Sequence, residues 1–197
     1  NIGESLYLGR LKSAKGLELP ETIKDSLYLD GLKKVEGLNL PKIVGYDLNL
    51  SSLITAEDLV LPEKIGGTLD LNSLTSATGL VLSKKFIGNL YLQNLNNAEG
   101  LVFPETIEGD LDLRSLTSAK DLIMPKVVGG CLDLRNLTNS DGLILPETIG
   151  INLYLQSLTT AKNLVFPKTI GLSLFLEKLT SAEGLVLPET IEGGLFL

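Results

Sequence analysis

Histidine and tryptophan are absent from these 197 residues, cysteine and methionine occur once each, and aromatic residues make up only 5%. Each scarcity excludes something. Without histidine the chain lacks the commonest general base and the commonest ligand of catalytic metals. A single cysteine, Cys131, rules out an internal disulfide and leaves the redox compartment open; it is read as a spare surface thiol. No apolar run nears the roughly 20 residues that span a bilayer, so membrane insertion is not expected. The net charge of −7, with no clustering of Lys and Arg, argues against a nucleic-acid surface. No secretory signal is visible, and the chain starts at Asn1 rather than at methionine.

What is plentiful is aliphatic. Apolar residues make up 44% of the chain, almost all of them Leu, Ile, Val and Ala, which favours a thin, regular core. They recur with a fixed period. Proline stands at 20, 41, 62, 104, 125, 146, 167 and 188, always 21 residues or a multiple of 21 apart, and Ser83 fills the vacant slot. With proline as the first position the unit reads P-x-x-I-x-x-x-L-x-L-x-x-L-x-x-A-x-x-L-x-L. The copy starting at Pro104 supplies Ile107, Leu111, Leu113, Leu116, Ala119, Leu122 and Met124. Self-similarity at such a period is the signature of a solenoid. Residues 1–197 therefore read as one repeat domain, with a partial unit 1–19, full units from 20, 41, 62, 83, 104, 125, 146 and 167, and a partial unit 188–197. Neither end carries a polar capping unit, so a longer native protein or end-to-end association of copies is expected.

Two stretches per unit alternate with period two, as half-buried strands do: one around Leu111–Leu113, the other around 122–124. No window holds a helical period. The expected fold is an all-β solenoid, a right-handed leucine-rich-repeat-like coil with two short parallel strands per unit. Equivalent strands would stack ~4.8 Å apart. The residue before the second stretch is Gly, Asp or Asn in every unit (Gly16, Gly37, Asp58 and onward to Gly184), so a left-handed backbone conformation is placed there. Proline is expected to end the second ladder, because it has no N–H to donate. The rare replacements at inward positions, such as Phe86 for Ile, Val35 for Ala and Phe103 for Leu, suit a packed column.

The run Ala98-Glu-Gly-Leu101-Val-Phe103-Pro104-Glu-Thr-Ile107 resembles the strand and turn of bacterial BspA-like leucine-rich repeats, L-x-x-I-x-I-P-x-x-V. The likeness covers about half of each unit along the whole chain. In the other half the family's A-F-x-x-C element gives way to G-x-L-x-L-x-x-L, which leaves both a horseshoe and a straighter rod open. The resemblance implies a bacterial protein, secreted or on the cell surface, that binds other proteins.

Three outward features are candidates for function. Along the first strand the middle position reads Tyr7, Tyr28, Asn49, Asp70, Tyr91, Asp112, Asp133, Tyr154, Phe175 and Phe196, flanked by Asp47, Asn89, Asp110 and Asn152 on one side and Asp30, Gln93, Arg114, Arg135 and Gln156 on the other. Inward positions are nearly constant while these vary, and Tyr and Arg favour interfaces, so this wall is the expected partner-binding surface. The plainer reading is that such residues pair well across a ladder. Beside the second stretch runs Val60, Val81, Val102, Ile123, Ile144, Val165 and Val186, an apolar stripe read as a lateral contact or as strand propensity alone. Beside the prolines, Glu21, Lys42, Glu63, Lys84, Glu105, Lys126, Glu147, Lys168 and Glu189 alternate in sign, which suits stacked copies.

No catalytic residue, metal site or cofactor is expected. Asp70, Asp110, Asp112 and Asp133 could suggest calcium, but stacked carboxylates pointing one way make a solvated patch more readily than a cage. Asp112, Asp133, Arg114 and Arg135 recur on successive units and read as surface rather than as an enzyme centre. The expected function is a non-enzymatic protein-interaction or adhesion module; the alternative is a structural spacer or self-associating rod.

Overall fold

The computed structural model describes residues 1–83 and 87–197; the expectations at Lys84 and Phe86 lie outside them. Among the described residues there is no helix, and every strand is two residues long. One parallel sheet of ten strands runs the length of the molecule, from Leu6–Tyr7 to Leu195–Phe196, in chain order. Each residue pairs with its equivalent one unit on, as Leu111 with Leu132 and Asp112 with Asp133. The amides of Leu111 and Leu113 donate to the carbonyls of Cys131 and Asp133 at 2.8 and 2.9 Å. The chain is a β-solenoid with one coil per 21 residues.

Why the Leu columns face inward follows from the pleat. Leu111 and Leu113 flank an outward residue, and Leu116 closes the corner by donating its N–H to the Leu113 carbonyl at 3.0 Å. Leu113 and Leu134, one coil apart, are both at 0% exposure in a shared dry interior. In that coil Ile107, Ala119 and Leu122 are buried as well, while Met124 is only partly so. Burying a large aliphatic side chain stabilises by about 1.5–3 kcal/mol, which offsets much of the ordering entropy of a coil covered on both sides.

The left-handed position is where the sequence placed it. All nine residues from Gly16 to Gly184 have positive φ, including Asp58 at 64°, Asp121 at 62° and Asn163 at 63°. Each is the third residue of a turn closed by a bond from the next Leu to the residue two before it, as Leu122 N–H to the Ala119 carbonyl at 3.1 Å. A positive φ at that place alone makes it a type II turn.

The second sheet is not where the sequence placed it. Residues around 122–124 alternate inward and outward as expected, yet only one isolated bridge, Val102 to Ile123, forms in this column. The strands lie instead after the proline, at Thr106–Ile107, Val127–Val128 and their equivalents, in sheets of five and three strands among the described residues. The physical reason is the bracket of a tight turn on one side and proline on the other. That leaves three residues, too few donors for a ladder, and pairing resumes once N–H groups return: Lys126 N–H donates to the Glu105 carbonyl at 2.8 Å. Proline precedes this ladder rather than ending one.

Candidate functional site

The outward wall of the ten-stranded sheet carries two kinds of coil. In one kind, aromatic rings stack on their equivalents: Tyr7 on Tyr28 at 4.7 Å, Tyr154 on Phe175 at 4.8 Å and Phe175 on Phe196 at 4.6 Å between ring centroids. These separations match the rise per coil, so stacking follows from register. In the other kind a short Asn or Asp folds back onto the backbone. Asn49, Asp70, Asp112 and Asp133 accept the N–H two residues on, from Ser51, Asn72, Arg114 and Arg135, at 2.9–3.1 Å.

Asp112 and Asp133 stand on the outward face, as the sequence suggested, but are covered rather than solvated; each is 5% exposed. Arg114 and Arg135 lie over them. Arg114 Nε meets both Asp112 oxygens at 2.9 and 3.0 Å, and its Nη2 closes a fork; Arg135 does the same to Asp133. Arg114 also reaches Asp133 across the coil step at 3.7 Å. A buried carboxylate needs such a partner, and the guanidinium is the residue whose geometry supplies it. The arginines remain 37% and 40% exposed, and Arg135 sits 5.6 Å from the centre of the Tyr154 ring. Both guanidiniums are thus held from beneath by carboxylates, and that of Arg135 lies beside the Tyr154 ring.

The flanking residues have a structural duty that sequence reasoning missed. On the near flank, six side chains cap a backbone N–H of the next coil. Ser26 takes Asp47, Asp47 takes Thr68, Asn89 takes Asp110, Asp110 takes Cys131, Asn152 takes Ser173 and Ser173 takes Gly194, at 2.7–3.1 Å. Cys131 belongs to this ladder, half-buried and contacted by the Asn152 amide at 3.7 Å; it is not a spare surface thiol. Burial pushes its pKa up, against the bond from the Asn152 backbone. Asn89 and Asn152 also donate to the phenols of Tyr91 and Tyr154 at 3.2 and 3.0 Å. A second unforeseen column, Ser13, Thr55, Ser76, Asn97, Ser118, Asn139, Thr160 and Ser181, accepts the N–H two residues on, at 3.1–3.3 Å. Both columns were legible as polar positions in a 21-residue register.

Asp70, Asp110, Asp112 and Asp133 do not converge. One caps a turn, one caps the next coil and two are clamped by arginine, and among the described residues no three acidic or Cys side chains could hold a metal together. Burial raises the Asp70 pKa, the Asn72 amide opposes this and Asp30 adds to it. Burial and Asp110 raise that of the Tyr91 phenol.

The middle of the wall is notched. Between the rings of Tyr91 and Tyr154, where two coils carry the smaller Asp112 and Asp133, lies a hollow of about 240 Å³ edged by Arg114, Arg135 and Cys131. A wider one of about 600 Å³ adjoins Tyr7, Arg10, Tyr28 and Asp30. No known protein family, curated protein or solved structure matches this chain. Function must therefore be argued from the surface itself. No helix among the described residues is long and apolar enough to cross a membrane.

The apolar stripe stands clear of the wall. Its seven residues, Val60, Val81, Val102, Ile123, Ile144, Val165 and Val186, are each 68–80% exposed. A shallow groove of about 620 Å³ runs between Ile144 and Val165, floored by Pro146 and Pro167, with Glu147 and Lys168 on its rim. The proline-side charge ladder therefore borders the stripe. Within it, Lys42 meets Glu21 at 3.0 Å, Lys126 meets Glu105 at 3.1 Å and Lys168 meets Glu189 at 3.8 Å.

Proposed function

We infer that this chain is a non-enzymatic protein-interaction module whose partner docks on the wall of the ten-stranded sheet. One observation carries the reading. Over uniform inward Leu columns, the outward column changes chemistry in blocks, and its central block holds two guanidiniums pinned beside tyrosine rings. Side chains fixed in this way lose little entropy on binding, and Tyr and Arg are the residues that dominate protein interfaces. The central notch of about 240 Å³ falls below the roughly 300–1,000 Å³ of small-molecule sites and suits a side chain of a partner. The resemblance to BspA-like repeats adds an extracellular protein as the class of partner.

The test is a panel of immobilised extracellular-matrix and cell-surface proteins, probed with the native chain and two variants. Tyr91→Ala/Tyr154→Ala removes the rings; Arg114→Lys/Arg135→Lys keeps the charge and loses the fork. At least a tenfold loss of affinity in both variants is expected. Silence across the panel, or binding indifferent to both changes, overturns the reading.

A further inference from the structure

The apolar stripe lies on a different face, and its flanks carry a pattern that the fold of one chain does not require. Every stripe residue except Val81, which follows Thr78, has a charged residue three positions before it and another three after. From the coil of Val102 onward the two have the same sign: Glu99 and Glu105, Lys120 and Lys126, Asp141 and Glu147, Lys162 and Lys168, Glu183 and Glu189. Glu57 and Glu63 bracket Val60 in the same way. Where the stripe position is polar, at Glu18 and Asn39, the brackets differ in sign: Lys15 with Glu21, and Glu36 with Lys42. From the coil of Val102 onward, alternation along each flank already serves neighbouring coils, as in the 2.7 Å pair of Lys162 with Glu183. That alternation works equally well whether the two flanks agree or disagree in sign. Agreement appears only where the stripe is apolar, and it makes the face a series of acidic and basic bands crossing an apolar ridge.

Such a banded face is complementary to itself in one orientation. We propose that the stripe is the interface of an antiparallel two-fold dimer of this chain, centred between Ile123 and Ile144. A parallel dimer in register would set Lys120 against Lys126, and Glu99 against Glu105, like sign on like sign in every band. An antiparallel dimer centred on a single coil would also face like bands. Shifted to the step between the coils of Ile123 and Ile144, the four bands of the coils from Val102 to Val165 each meet a band of opposite sign. Lys120 faces Asp141 of the partner copy, Lys126 faces its Glu147, and Glu99 and Glu105 face its Lys162 and Lys168. The groove between Ile144 and Val165 then receives the ridge of the partner copy. An isologous contact of this kind closes on itself, so it yields dimers rather than fibres, and the charge bands restrict its axis to a step between coils.

Sedimentation equilibrium of the native chain, from about 1 µM to 1 mM, reads the outcome. A concentration-dependent monomer–dimer equilibrium is expected. Ile123→Ser/Ile144→Ser weakens it at least tenfold; both side chains are more than 70% exposed, so circular dichroism should show the fold unchanged. Lys120→Glu/Lys126→Glu weakens it comparably, and adding Asp141→Lys/Glu147→Lys to the same chain restores it, because the bands are again opposite across the two-fold axis. A monomer throughout, a dimer indifferent to the isoleucine changes, or a charge swap that fails to rescue overturns the proposal. The wall variants Tyr91→Ala/Tyr154→Ala leave dimerisation unaltered, so failure of the partner-binding reading and failure of this one are told apart.

Discussion

At one outward position of the wall two side-chain chemistries solve the same problem. Tyr154 and Phe175 stack on their equivalents, whereas Asp112 turns back to cap the chain. Asp70 takes the second course with neither a clamping arginine nor full hydration. Burial is the main cause of its raised pKa, so folding favours its protonated form. Its stabilising contribution is complete below the ordinary value of 3.8 and is lost as pH rises through the higher value in the folded state. Asn49, one coil earlier, makes the same 2.9 Å turn bond without a charge. Asp70→Asn is therefore expected to raise the urea midpoint at pH 7 and to bring no gain at pH 3.5. A lower midpoint at pH 7 would contradict this.

At the scale of the element, the type II turn separates backbone strain from crowding. Gly100 has φ of 78°, and a Cβ there would meet only Cα of Thr78, at an ordinary 4.0 Å, so Gly100→Ala reports strain alone, about 1–2 kcal/mol. Gly79 has φ of 83°, and a Cβ there would stand 2.9 Å from Cα of Glu57. Gly79→Ala should therefore cost more than Gly100→Ala in urea unfolding, and equal costs would remove crowding from the account. These turns were legible because Gly, Asp and Asn at one place in every unit have a single economical explanation in backbone sterics. The second ladder was not. Alternating burial marks extended chain, and the residues around 122–124 have it; whether extended chain finds partners depends on free donors in the next coil, which a neighbouring proline removes.

For the whole molecule, the core is a one-dimensional stack in which the strands of the long sheet pair with those one coil above and below. The cost of a side chain then depends on cover from both neighbours. Leu111, Leu132, Leu153 and Leu174 have 0% exposure, while their equivalent in the last coil, Leu195, has 38%. Leu113→Ala in the interior should cost about 2–5 kcal/mol, and should make opening at that coil visible by hydrogen exchange before the rest unfolds. Ile123→Ser, ten residues on but outward, should stay within about 0.5 kcal/mol in dilute monomer. Comparable losses in the two variants would mean that the inward and outward columns are misassigned.

By itself the sequence determined the period, the inward columns, the left-handed turn position and the alternation of charge. Each is a local or strictly repeated constraint: a fixed spacing can be buried in only one way, and a turn needs residues that tolerate positive φ. Only the tertiary structure decided which extended stretch pairs, that Asp112 and Asp133 lie under arginine, and that the near flank of the wall is spent on capping the next coil. Those outcomes depend on distances between coils, where a carboxylate one step away from a guanidinium or a free N–H exchanges solvent for a partner.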